Sequence, residues 1–99
     1  MRIRRARELP AAGRGLDICA QHGSELWIGE AKVANSLGRE PQARAKLDGL
    51  RRAANLLRPH GILLVTASEG WTDRTKEIAR DVLAGTPNEL RFARCPRPA

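Results

Sequence analysis

Residues 16–32 read Leu16-Asp17-Ile18-Cys19-Ala20-Gln21-His22-Gly23-Ser24-Glu25-Leu26-Trp27-Ile28-Gly29-Glu30-Ala31-Lys32, and this stretch decides the fold. Two apolar runs flank Gln21-His22-Gly23-Ser24, the pattern of a β-hairpin. Charge inside such strands needs a physical reason. Glu30 and Lys32 are two apart, so on a strand they project from one face. A buried Glu, Asp or Lys is costly unless it is paired or holds a metal. With His22-Gly23 as a two-residue turn, the glycine supplying positive φ, Gln21 opposes Ser24 and Asp17 opposes Ile28. Asp17 then becomes the diagonal neighbour of Glu30 on one side of the sheet, about 7–8 Å away at the backbone, a gap two carboxylates can close onto one cation. A slip of one residue would send Asp17 to the opposite face.

Downstream, Asn35-Ser36-Leu37-Gly38-Arg39 reads as a loop, and Pro41 suits the first turn of a helix. Ala43, Leu47, Leu50, Ala54 and Leu57 recur at intervals of four, three, four and three, one face of a helix running from Pro41 to Arg58. Pro59 and Gly61 stop it. Gly61 to Ala67 is a nearly continuous apolar run, as expected of a strand buried on both faces. Thr72 is a suitable N-cap for a helix from Thr72 to Ala84, with Asp73 at the positive end of its dipole. Leu90 and Phe92 alternate with Arg91 and Ala93 in a last short strand. Upstream, residues 1–12 form a basic arm or edge strand, and residues 95–99 a Pro/Arg tail, so residues 1–99 read as one α/β domain with a mixed central sheet flanked by helices.

An Asp followed one strand later by Glu-x-Lys resembles the PD-(D/E)xK nuclease superfamily, whose fold is restriction-endonuclease-like. Asp17 is the acidic residue and Glu30-Ala31-Lys32 the second motif; the helix, apolar strand and helix that follow match the order of the later core elements, so the resemblance covers about two-thirds of the chain. Leu16 stands where the superfamily often has Pro. The first core helix is missing, since only seven residues precede Glu8, too few for a stable packed helix; Glu8 is the stand-in for the acidic residue that helix can supply. Some relatives carry Gln at the start of the helix after the Lys, and Gln42 occupies a similar place. The resemblance implies a Mg²⁺ (or Mn²⁺) site made by Asp17, Glu30 and the carbonyl of Ala31. Lys32 would orient or deprotonate the attacking water or stabilise charge. It also implies DNA as substrate, and a second copy or further domain to complete the sheet's covering.

The 99 residues carry 18 Lys and Arg against 11 Asp and Glu, a net charge of +7 that favours a polyanionic partner. Because 15 of the 18 are Arg in an Ala-rich chain, a GC-rich genome accounts for part of that excess. Arg44, Arg51 and Arg52, on the polar face of the first long helix, are the expected phosphate contacts. No apolar run approaches the roughly 20 residues of a membrane span, and no apolar segment follows the basic start as in a secretory signal, so a cytoplasmic setting is expected. Cys19 and Cys95 give no disulfide framework. Two other readings compete with the nuclease: a catalytically inactive nuclease-like module that binds nucleic acid, and a small-molecule-binding α/β domain centred on the loop from Thr66 to Thr72, at the carboxyl end of a strand where open sheets bind ligands.

Overall fold

The computed structural model describes residues 18–95 together with the backbone of Arg2–Arg4. Asp17 and Glu8 lie outside the described residues, as does most of the arm and of the tail. The elements are β1 (Arg2–Arg4), β2 (Ile18–His22), β3 (Glu25–Lys32), α1 (Glu40–Leu57), β4 (Gly61–Thr66), α2 (Asp73–Val82) and β5 (Glu89–Arg94). The strands form one mixed sheet in sequence order, antiparallel from β1 to β3 and parallel from β3 to β5. Parallel neighbours require crossovers, which α1 and α2 provide.

The hairpin differs from expectation in its register. The turn is Gly23-Ser24, so Cys19, not Asp17, opposes Ile28, and His22 opposes Glu25. Gly23 has φ of +60° whereas Ser24 does not have positive φ, the glycine-first type II′ turn whose twist matches a hairpin. His22-Gly23 would have put the glycine second. The resulting slip is two residues along β2, an even number, so every side chain keeps its expected face.

Both helix ends follow local chemistry. The backbone N–H of Arg39 donates to Gln42 Oε1 at 3.1 Å at the start of α1, with Pro41 in the first turn. Arg58 closes the helix in the left-handed region, and Pro59 cannot continue it. The side chain of Thr72 accepts from the N–H of Thr75 at 3.2 Å, capping α2 as expected.

Both helices cover the same face. Ile28 of β3 and Ile62 and Leu64 of β4 pack with Ala43, Leu47, Leu50 and Ala54 of α1 and Ile78 and Ala79 of α2. Trp71 belongs to this core and donates its Nε1–H to the Leu64 carbonyl at 2.9 Å. On the other face Ile18, Ala20, Trp27 and Leu63 make a second cluster, to which no helical residue among the described ones contributes. Trp27 lies over Gly61, its partner in register; a Cβ on Gly61 would stand 2.2 Å from the ring. The His60 ring packs 5.2 Å away and the Arg91 guanidinium 4.8 Å from the indole centroid. Cys19 is buried, as a small core residue should be. Among the described residues, no helix is long and apolar enough to cross a membrane.

Candidate functional site

Strand alternation sends Ile28, Glu30 and Lys32 to the helix side of the sheet and Trp27 and Ala31 to the other. Glu30 is fully buried and sits beside Leu64 in the register of β3 and β4. A carboxylate in such surroundings requires a cation. That cation comes from α1: Lys46 Nζ lies 2.7 Å from Glu30 Oε1, with Lys46 keeping 39% of its side chain exposed.

Lys46 was not among the residues the sequence singled out, which sought the partner of Glu30 in Asp17 and Lys32. A signal was present. Lys46 falls three residues after Ala43 and four before Leu50, both core positions, so it borders the buried face of α1. Gln42, four residues earlier, is its neighbour along that edge.

Lys32, Gln42 and Lys46 together border a cleft of about 470 Å³ that opens past the carboxyl end of β3, with Ser36, Leu37 and Gly38 from the loop before α1. Lys32 is half-buried, and among the described residues no carboxylate lies within ion-pair distance of it. Of the expected site residues, Lys32 and Gln42 border this cleft, while Glu30 lies buried beneath the sheet surface and reaches it only through its partner Lys46. The position of Asp17 and its distance to Glu30, like any role of Glu8, fall outside the described residues. Among the described residues, no three His, Cys, Asp or Glu side chains cluster as a metal site would require by itself. The Ala31 side chain is exposed on the opposite face.

The three expected phosphate-binding arginines each make ion pairs at the protein surface. Arg44 pairs with Glu40 at 3.2 Å and with Asp81 of α2 at 2.8 Å, tying the two helices together. Arg51 pairs with Asp48, and Arg52 reaches the same carboxylate at 3.4 Å. Hydrogen bonds from Arg74 and then Arg44 hold the Glu40 carboxyl below the usual carboxylate range, and Arg51 does the same for Asp48. Around the other proposed ligand site the polar groups serve the fold. Thr66 Oγ1 donates to the Ala34 carbonyl at 2.7 Å and accepts from the Ser68 N–H at 3.0 Å, while Thr72 caps α2. Compared with protein-family models, curated proteins and solved structures, the chain finds no match.

Proposed function

We propose that this chain is a Mg²⁺-dependent nuclease domain of the PD-(D/E)xK type that hydrolyses phosphodiester bonds, with DNA as the substrate. The observation that carries the reading is Glu30, a fully buried carboxylate in a hairpin strand, on the same face as Lys32 and paired with Lys46, which borders a cleft together with Lys32 and Gln42. The donor chemistry fits Mg²⁺, which prefers hard oxygens and uses only one or two protein carboxylates. Glu30, Asp17 and the Ala31 carbonyl would hold it.

When bound, the metal supplies Lewis acidity at the phosphate and lowers the pKa of a coordinated water. The chain's own residues do the rest. Lys32 brings a positive charge to the cleft, where it orients the attacking water or offsets charge growing on the phosphate. Gln42 uses its Oε1 on the Arg39 N–H, and its amide nitrogen is left to donate to a phosphate oxygen.

Incubation of linear and circular DNA with Mg²⁺ tests this. The wild-type chain should cleave, and Glu30→Ala and Lys32→Ala should each lose at least about 100-fold in turnover, the scale expected when a group acting on the water or the developing charge is removed. Unchanged turnover in either variant sinks the assignment. The Lys46–Glu30 pair favours a second reading, a nuclease-like fold that only binds nucleic acid. It predicts retained, salt-sensitive DNA affinity with no cleavage at any Mg²⁺ concentration.

A further inference from the structure

We propose that the cleft between the end of β3 and the start of α1 is a phosphate site that works without a metal, in which Lys32 Nζ, the Gln42 amide nitrogen and the Ser36 hydroxyl hold the oxygens of one phosphate group. The proposal rests on the nuclease reading only in taking that phosphate as the substrate's.

The cleft offers donors, and its acceptors are taken. Three separate segments border it, Lys32 from the end of β3, Ser36 from the loop and Gln42 from α1, and among the described residues no carboxylate does. Gln42 Oε1 accepts from the Arg39 N–H at 3.1 Å, which makes the amide nitrogen the end able to serve a ligand. Ser36 Oγ accepts from the Gly38 N–H at 3.3 Å, and its own proton is left to donate. Two carbonyls of the lining follow the same rule: that of Lys32 accepts from the Ala67 N–H at 2.8 Å, and that of Ala34 from Thr66 Oγ1 at 2.7 Å. The groups left over are one ammonium and two neutral donors, the complement of an oxyanion. Lys46 also borders the cleft, but its ammonium lies 2.7 Å from Glu30 Oε1, so much of its charge is offset there. Lys32 is the charge that selects an anion. Gly38 gives the amide its place, since its φ is +101° and a Cβ there would stand 2.9 Å from Gln42 Oε1. At about 470 Å³ the cleft is of ligand size, with room for the sugar that a phosphate carries.

Titration of the full chain with inorganic phosphate in the presence of EDTA, followed by NMR through the backbone amides of Ser36 and Gly38, tests the proposal without relying on cleavage. In the wild type those resonances should move and saturate. Lys32→Met should bind phosphate at least about tenfold more weakly, the scale of one charge-assisted hydrogen bond. Gln42→Glu keeps an oxygen for the Arg39 N–H, so the start of α1 is preserved, but it sets a carboxylate where the donor was and should weaken binding at least as much. Lys76→Met, the same loss of charge on α2, should bind within about twofold of wild type at about 0.15 M salt, where distant charges are screened. No saturable shift in the wild type, or wild-type affinity in Lys32→Met or Gln42→Glu, overturns the proposal. Oligonucleotides with and without a terminal phosphate then name the source of the anion: displacement of phosphate by the phosphorylated one alone marks a chain end, by both the internal diester, and by neither a free phosphate compound. Phosphate binding without Mg²⁺-dependent DNA cleavage sinks the nuclease reading and keeps this site; cleavage without phosphate binding does the reverse.

Discussion

The two faces of β3 solve burial in opposite ways. On the helix side Glu30 is buried as a charge and answered by a charge, Lys46, from an element outside the sheet. On the other side Trp27 is buried as volume and answered by an absence of volume, Gly61, in the next strand. A charge is matched at a distance and by sign, so its partner can be exchanged or released. A ring is matched by contact, so its partner cannot change without the ring moving. The difference separates a face held by charge from a face held by packing.

The largest expected effect comes from the Trp27 side. Trp27→Ala should cost about 3–5 kcal/mol in chemical denaturation, the usual range for emptying a large aromatic site, because the His60 ring and the Arg91 guanidinium would no longer have the indole to pack against. Gly61→Ala should cost about 1–3 kcal/mol by overpacking, and Trp27→Leu in the same chain should recover part of that loss. Additive losses would show that the ring and the glycine are not matched in size.

The charged face should give a smaller and asymmetric result. Lys46→Met leaves a buried carboxylate short of its cation and should cost about 1–3 kcal/mol, below the 3–5 typical of a broken buried pair because Lys46 is partly exposed. Glu30→Gln should cost less, since the ammonium it abandons can turn to water. The Lys46→Met/Glu30→Gln double variant should be more stable than Lys46→Met alone. Equal costs for the two single changes would mean that burial of Glu30 is not what makes the pair matter.

Smallest of all should be the ion pairs on the outer surface of the helices. The Glu40 and Asp48 pKa values are lowered, so whatever stability they add is present above the unfolded carboxylate pKa and lost as pH falls through the lower folded value. Because both groups are exposed, about 0.5 M salt should remove most of this acid dependence by shortening the screening length to a few ångströms. An acid transition in that range that ignores salt would point to a buried carboxylate instead, with Glu30 the first to examine by Glu30→Gln.

Local signals in the sequence determined the elements of this protein. The spacing of Ala43, Leu47, Leu50, Ala54 and Leu57 marks α1, the apolar run from Gly61 marks β4, Thr72 marks the start of α2, and period-two alternation puts Glu30 and Lys32 on one face. Each depends on residues within a turn or two of one another, where backbone geometry alone sets the relationship. The hairpin register turned on a subtler local fact, the preference of a type II′ turn for glycine in its first position, and the even slip kept the faces right. Only the tertiary structure decided that the cation on Glu30 is Lys46 and that Arg44 is taken up by Glu40 and Asp81. Those partners come from different elements, and which charge meets which is fixed by how the helices settle on the sheet, where burial makes the pairing of Glu30 compulsory while surface arginines pair with whatever carboxylate packing brings near.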